Sequence, residues 1–294
     1  MIMFERFAVA ALAAALMATP AAAQTKIPPF KDELFRYPEL TAARDNGAFL
    51  DVPYDEVRDI DRRDEIPERR VTRAYVDLAV GRAQDEALST PDGEAWVSSV
   101  GRTRDAELIV VFMHGRNGDR RLGMNDWTFG GNFNRLKNLV VRANGLYVTV
   151  DGGALGPSDA ERFAAAVTFI ADRSPRSRLV LACGSMGGHL CWQALLRPSL
   201  AKRVSGVVLL GANSRVGDLD PVLAARGGTP LPLLLGQGAR DKVYPLAVQH
   251  AFYDAVRRRA AYPIRFVAFD GGNHGTPIRM IDWRDTLNWL LQQR

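Results

Sequence analysis

The sequence predicts an α/β fold in which a mostly parallel, twisted sheet carries helices on both faces. From residue 108 onward, short apolar runs rich in β-branched residues alternate with longer segments of helical periodicity. This alternation indicates strands that pair in parallel, because each helix carries the chain back across the sheet in a right-handed crossover. Binding and catalytic residues are therefore expected on the loops that follow the carboxyl ends of these strands.

Six buried strands are predicted from continuous apolar runs that are too short to form helices. They cover residues 108–113, 146–150, 178–182, 204–210, 231–235 and 264–269. Helices are predicted over residues 134–142, around 163–170, and over 186–196, 244–259 and 276–291. Before residue 100 the pattern is weaker. Residues 71–80 and 95–100 are expected as antiparallel edge strands, whereas the prolines and charges of 26–68 predict no regular element.

The first residues have the pattern of a secretory signal peptide. Arg6 provides a basic start, residues 7–17 are apolar, and a run of small residues ends at Ala23. The apolar run is shorter than the roughly 20 residues that a membrane-spanning helix needs, which disfavours a retained N-terminal anchor. We therefore expect cleavage after Ala23, no stable membrane span afterwards, and a secreted or periplasmic protein.

The chain is predicted to comprise the signal peptide (1–23), an N-terminal extension (24–100) and one catalytic core (101–294). Its charge balance is basic, with a formal net charge of +5 and a pI of 9.4. Charges of opposite sign alternate over 58–65, however, which is typical of a solvated face and not of a phosphate-binding stripe. The sequence therefore indicates no nucleic-acid binding, while a mild attraction to anionic surfaces or substrates is compatible with it. The oligomeric state does not follow from these features.

Cys183 and Cys191 are the only cysteines in the chain. They are expected at the end of a strand and in the next helix, positions that do not establish the close approach a disulfide needs. Free cysteines are frequently buried, so two buried free thiols are predicted. No further cysteine completes a set of metal ligands, and neither a metal nor an organic cofactor is expected.

A candidate nucleophile, Ser185, lies in the sequence CGSMGG between a predicted strand and a predicted helix. A nucleophile on such a turn adopts strained backbone angles, and small neighbouring residues let the strand and the helix approach closely. The motif departs from G-x-S-x-G in one position, where Cys183 replaces the first glycine. The alternative is a glycine-rich turn without a chemical role.

The base is expected among the four histidines of the chain. His189 and His250 fall inside predicted helices and are interpreted as structural. His114 follows the first predicted strand, where an oxyanion loop is expected. His274 follows the last predicted strand in the sequence GGNHG, which leaves it as the candidate base.

The acid that orients this base is predicted to be Asp241, which follows the fifth predicted strand. The order Ser, Asp, His along the chain is the one expected for an architecture in which the nucleophile lies between a strand and a helix. Asp270 is the rival, but it ends the last strand and is expected to cap or brace that loop. Asp151 also ends a strand, and a structural role is expected for it.

Five motifs, in the expected order on the expected elements, resemble those of the α/β-hydrolase superfamily over residues 105–294. The interval 211–230, where larger members of this superfamily insert a helical cap, is short and implies a minimal cap and an open cleft. The motifs are the His114-Gly115 loop, the stretch 151–158, the turn at Ser185, the run that ends at Asp241, and His274.

The resemblance implies acyl transfer to water through an acyl-enzyme on Ser185, with His274 as base and Asp241 as its orienting carboxylate. The expected oxyanion-hole donors are the backbone N–H groups of Met186 and of Gly115 or Arg116. Three aromatic residues beyond this loop are expected either to line an acyl pocket or to pack on the sheet: Trp127, Phe129 and Phe133.

The function predicted from these features is that of an exported serine hydrolase that cleaves carboxylic esters of small-molecule or acylated substrates. A peptidase or amidase, or an acyltransferase to an alcohol acceptor, has the same residues and is the alternative within this fold. A non-catalytic binding protein is the alternative from another class, because a fold does not by itself imply a function.

Overall fold

A computed structural model describes residues 26–65, 69–259 and 261–293. The predicted signal peptide lies outside these residues. Within the ranges described, no helix combines the length and the apolar character needed to cross a membrane.

The strands are β1 (Ala42–Arg44), β2 (Phe49–Pro53), β3 (Asp64–Glu65), β4 (Arg70–Val71), β5 (Gln84–Thr90), β6 (Gly93–Gly101), β7 (Leu108–Met113), β8 (Leu146–Val150), β9 (Arg178–Gly184), β10 (Val204–Leu210), β11 (Leu233–Gly238) and β12 (Ile264–Asp270). The helices are α1 (Asp32–Phe35), α2 (Arg120–Met124), α3 (Asn132–Arg142), α4 (Pro157–Asp172), α5 (Gly187–Ala194), α6 (Pro198–Ala201), α7 (Leu219–Ala225), α8 (Leu246–Arg257), α9 (Thr276–Met280) and α10 (Trp283–Gln292). Short 3₁₀ turns cover Asp45–Gly47, Arg73–Tyr75 and Phe129–Gly131, and a π-helical turn covers Val57–Asp61.

Ten strands form one sheet in the order β1-β2-β12-β11-β10-β9-β7-β8-β6-β5, and β3 pairs with β4 in a small hairpin. Neighbours from β2 to β8 run parallel. Antiparallel pairs flank this parallel centre at both ends. All six predicted strands lie in the parallel centre, so the predicted fold class is confirmed.

The sheet lies between two hydrophobic clusters, one on each face. In β7, Ile109 and Val111 pack on one face, whereas Val110 and Phe112 pack on the other. Side chains alternate between the faces of a strand, so a strand covered on both sides needs apolar residues at every position. This double burial explains the uninterrupted apolar runs of the sequence.

The N-terminal segment extends the sheet at both ends. Strand β2 (FLDVP) pairs in parallel with β12, with Phe49 opposite Phe266, although the sequence predicted no element there. The strand predicted at 95–100 is present as β6 and is antiparallel, but β5 covers it and forms the edge.

The prediction of a strand over 71–80 is wrong, because only Val71 of this range belongs to a strand and a 3₁₀ turn follows it. Polar contacts with α3 hold this segment instead. The backbone N–H of Asp77 donates to Asn134 Oδ1 (2.9 Å), and Asn134 Nδ2 donates to the Asp77 carbonyl (2.8 Å). The Asn134 side chain therefore replaces the backbone partners that a neighbouring strand would supply to Asp77.

The single closing helix predicted over 276–291 is two helices, α9 and α10. Ile281 and Asp282 have non-helical angles between them, and Asp282 caps α10 by accepting hydrogen bonds from the N–H groups of Arg284 and Asp285. The buried guanidinium of Arg135 donates to Asp282 at 2.9 Å. An aspartate that caps one helix and pairs with a buried arginine therefore ends the continuous helix that periodicity predicted.

The prediction of two free thiols is also wrong, since Cys183 and Cys191 form a disulfide. Helix α5 begins three residues after β9 ends, and its second turn brings Cys191 back over the strand end. The Cα atoms are 6.6 Å apart, within the range that disulfides span. The bridge therefore ties β9 to α5 across the turn that carries Ser185.

Candidate active site

Ser185 occupies a tight turn between β9 and α5. Its φ of 51° lies in the left-handed region. Residues other than glycine adopt this region at an energetic cost, and they commonly do so at functional sites. The Ser185 N–H donates to the Leu210 carbonyl at 3.0 Å. A Cβ atom at Gly187 would lie 2.3 Å from the His114 carbonyl oxygen, so this turn requires a glycine there.

Ser185, His274 and Asp241 are joined by hydrogen bonds. His274 Nε2 is 2.9 Å from Ser185 Oγ, and His274 Nδ1 is 2.7 Å from Asp241 Oδ2. A carboxylate can only accept, so the Nδ1 atom carries the proton and the Nε2 lone pair faces the hydroxyl. This arrangement allows His274 to accept the Ser185 proton.

Backbone and side-chain donors fix the Asp241 carboxylate, which is fully buried. Oδ1 accepts hydrogen bonds from the N–H groups of Val243 (2.7 Å) and Tyr244 (3.0 Å), and Oδ2 accepts from Gln237 Nε2 (2.7 Å). Donors to the charged form stabilise a buried carboxylate. The orientation of Asp241 toward His274 is therefore set by its own loop.

The rival acids lie elsewhere. Asp151 accepts hydrogen bonds from the backbone and the guanidinium of Arg120. Asp270 is exposed at the end of β12, and within the described ranges its side chain makes no hydrogen bond to His274. Of the three carboxylates weighed from the sequence, only Asp241 contacts the imidazole.

The loop after β7 passes directly beside Ser185. A Cβ atom at Gly115 would lie 2.8 Å from Ser185 Cβ and 3.3 Å from Oγ. His114, which is buried, donates from Nδ1 to the Gly115 carbonyl (2.7 Å), and its Nε2 accepts from the Gly152 N–H (2.8 Å). The side chain of His114 therefore fixes the peptide that joins Gly115 to Arg116.

Two of the backbone amides predicted as oxyanion donors, those of Arg116 and Met186, directly follow Gly115 and Ser185 in the chain. The carbonyl and the N–H of a trans peptide point in opposite directions, so the bond from His114 to the Gly115 carbonyl also sets the direction of the Arg116 N–H. The Met186 N–H lies at the start of α5, where amides have no partner within the helix.

The three aromatic residues have different surroundings. Phe133 is fully buried and packs on Phe112, with ring centroids 4.7 Å apart, so it belongs to the core. The guanidinium of Arg70 lies 3.9 Å from the centroid of Trp127. Phe129 lies beside the histidine loop, since a Cβ atom at Gly275 would be 3.8 Å from its ring. Phe129 also packs on Phe133, with ring centroids 5.7 Å apart, and against the core cluster on that face of the sheet.

The only helix in the interval between β10 and β11, all of which the structure describes, is the seven-residue α7. This agrees with the minimal cap that the sequence predicted. In the part of the chain that the structure describes, no group of three or more histidine, cysteine or carboxylate side chains could hold a metal ion.

The N-terminal segment contacts the helix that follows His274 and the turn at 129–131, which the sequence did not reveal. Arg279, on the helix after His274, forms a bidentate ion pair with Asp64, and Arg63 donates to the Gly130 carbonyl at 3.1 Å. Both arginines and Asp64 are buried. The interpretation of 58–65 as a solvated face is therefore wrong for Arg63 and Asp64. Alternating charges can also pair with distant partners in the interior.

No protein-family model matches the sequence, and neither does any curated protein. Solved structures do match. The feruloyl esterase module of Clostridium thermocellum, in complex with sinapinate, aligns with a TM-score of 0.59 at 15% identity, over 76% of this chain and 93% of that one. An esterase of Pyrococcus furiosus aligns with a TM-score of 0.53 at 16% identity, over 74% and 93%.

A protein of unknown function from Agrobacterium tumefaciens, assigned to the alpha/beta hydrolases, aligns with a TM-score of 0.53 at 15% identity, over 70% of this chain and 93% of that one. At such identities the likeness concerns the fold. Together with the order of the strands and the turn between β9 and α5, it shows that the chain has the α/β-hydrolase fold.

Proposed function

We propose that this chain is a serine hydrolase that cleaves carboxylic esters, with Ser185 as nucleophile, His274 as base and Asp241 as the orienting acid. The hydrogen-bonded series from Ser185 Oγ through His274 to Asp241 carries this proposal. The position of Ser185 on a left-handed turn at the carboxyl end of β9 supports it further.

The chemistry follows from these contacts. His274 Nε2 takes the hydroxyl proton while Ser185 Oγ bonds to the ester carbonyl carbon, and Asp241 stabilises the imidazolium. The negative charge on the carbonyl oxygen is bound by the N–H groups of Met186 and Arg116. The C–O bond to the alcohol then breaks, and the alcohol leaves with the proton from His274.

Water completes the cycle. His274 removes a proton from a water molecule as its oxygen attacks the acyl-enzyme carbonyl, and the bond to Ser185 breaks as that proton passes to Oγ. The carboxylic acid is released and the hydroxyl of Ser185 is restored. The proposal thus needs no co-reactant besides water.

We also propose that the protein is exported. The Cys183–Cys191 disulfide supports this localisation, since disulfides persist in oxidising compartments and are rare in the cytosol. The signal-like pattern that ends at Ala23 supports it independently.

Steady-state hydrolysis of 4-nitrophenyl acetate and of its anilide counterpart tests the reaction class. We expect turnover of the ester, a fall in kcat of roughly 10⁶-fold for Ser185→Ala and a fall of roughly 10⁴-fold for Asp241→Asn. Ser158→Ala, at an exposed serine on α4, is the matched control and should retain full activity. Faster cleavage of the anilide would favour an amidase, and equal turnover by the Ser185 variant would refute the assignment.

A further inference from the structure

Four loops surround the hydrogen-bonded series and are here called the site rim: residues 115–118, 211–217, 239–245 and 271–275. The first touches Ser185, and the last two contain Asp241 and His274. The second lies against His274, because a Cβ atom at Gly211 would be 2.8 Å from the His274 carbonyl oxygen. These four loops therefore lie next to Ser185 and His274.

The exposed charges within these four segments are positive, and the exposed carboxylate of Asp270 lies immediately before the last of them. The only carboxylate of the site rim is Asp241, whose side chain is fully buried and bonded to His274. The cations of the site rim are all exposed, and they follow three different strands. These cations are Arg116 after β7, Arg215 after β10, and Arg240 and Lys242 after β11.

These cations are not neutralised by neighbours. Among the residues that the structure describes, none of the four side chains has an ion pair or a side-chain hydrogen bond, and Asp218 accepts from the backbone N–H of Arg215 and not from its guanidinium. By contrast, Arg120 and Arg121, just beyond the rim, pair with Asp151 and Asp119. The positive charge of the site rim is therefore available to a ligand.

Exposed apolar side chains accompany two of the cations. Val216 follows Arg215 and is 53% exposed, and Val243 follows Lys242 and is 54% exposed. Side chains of this kind contact the apolar part of a ligand while the neighbouring cation attracts its charge. The two pairs lie on the loops after β10 and β11.

From these features, and resting on the hydrolase function proposed above, we propose that the substrates are soluble esters that carry a carboxylate. The unpaired cations of the site rim attract the anionic group, and the valines contact the carbon chain that joins it to the ester. Fixed charges beside a site raise the association rate of oppositely charged substrates.

A matched series of 4-nitrophenyl esters tests this proposal, because the leaving group stays constant while the charge at the end of the acyl chain changes. The series consists of the hexanoate, the monoester of adipic acid and the 6-(trimethylammonio)hexanoate. At low ionic strength we expect kcat/KM for the anionic ester to exceed that for the cationic ester by roughly tenfold or more. The ratio should approach one at about 1 M salt, where the Debye length is about 3 Å.

Charge-removing variants locate the effect. Arg116→Gln, Arg215→Gln and Arg240→Gln should each lower the ratio of anionic to cationic kcat/KM. Arg176→Gln removes the same charge from an exposed position just before β9, at the end of the strands opposite to the site rim. It should leave the ratio unchanged. Because the ratio compares two substrates of one variant, a general loss of activity cancels.

The outcomes separate the two proposals. Equal kcat/KM for the anionic and cationic esters, or a ratio that all three rim variants leave unchanged, overturns the inference about the substrate. Hydrolysis of none of the three esters overturns the proposed hydrolase function itself.

Discussion

Arg279 and Asp64 form a buried ion pair that ties the N-terminal segment to the helix following His274. The guanidinium donates to both carboxylate oxygens, at 3.0 Å from Nη1 and 2.5 Å from Nη2, and Nη1 also donates to the Asp59 carbonyl. The Asp64 side chain is fully buried. Residues of the N-terminal segment, far from His274 in the chain, are therefore tied to the helix that follows the candidate base.

Asp64→Asn should destabilise the protein strongly. It leaves the Arg279 guanidinium buried without its carboxylate, which typically costs about 3–5 kcal/mol of unfolding free energy. Asp172→Asn, which removes the exposed pair with Arg203, should cost less than about 1 kcal/mol. Urea unfolding of the two variants measures the difference, and equal midpoints would contradict a structural role for the buried pair.

His114 variants should change kcat more than KM, because the residue positions the loop and does not bind the substrate ground state. His114→Ala removes both hydrogen bonds and should lower kcat by roughly tenfold to a hundredfold. This decrease is smaller than the one expected when an oxyanion donor is lost completely. His114→Asn keeps a donor near the position of Nδ1, so its kcat should lie between those of the wild type and the alanine variant. An unchanged kcat in folded His114→Ala would exclude this positioning role.

Gly115→Ala should block the site. The new methyl group would lie 2.8 Å from Ser185 Cβ, and the displacement of either chain should lower kcat/KM by about 100-fold. Gly156→Ala, outside the site rim, is the matched control, since the nearest atom would lie 3.7 Å from its Cβ position, an ordinary contact distance. Comparable kcat/KM values for the two variants would show that the loop does not approach Ser185 this closely in solution.

The Cys183→Ala/Cys191→Ala variant should unfold at a lower urea concentration than the wild type. Closing so short a loop contributes about 2–3 kcal/mol in the chain-entropy account. A reducing agent should lower the midpoint of the wild type toward that of the variant and leave the variant unchanged. Insensitivity of the wild type to full reduction, verified by thiol titration, would contradict a stabilising bridge.

The parallel centre of the sheet could be predicted because burial on both faces produces unbroken apolar runs such as Leu108–Met113. Strand β2 could not, since its five residues include an aspartate and a proline and its partner, β12, lies more than two hundred residues later. Pairing at such a distance leaves no local periodicity. The break between α9 and α10 did have a signal, as Asp282 is a good helix cap, but the apolar periodicity across it was stronger.

The candidate site was predictable where a motif marks it, as at Ser185, and where few residues of the required type exist, as with the four histidines. Contacts across the fold gave no such signal. The disulfide depends on how α5 returns over β9, and the support from Asp64 depends on a pairing between distant segments. The disulfide lies beside a turn of small residues and Asp64 lies in a run of charges. Each of these local sequences is compatible with several structures.

Labelling with a fluorophosphonate, followed by mass spectrometry of the modified peptide, tests the central claim most directly. A serine hydroxyl reacts with this reagent when a neighbouring base activates it. We predict a single adduct on Ser185, lost in Ser185→Ala and formed much more slowly in His274→Gln. Absence of the adduct on folded wild-type protein, or an adduct on another residue that persists in Ser185→Ala, would contradict Ser185 as the activated nucleophile.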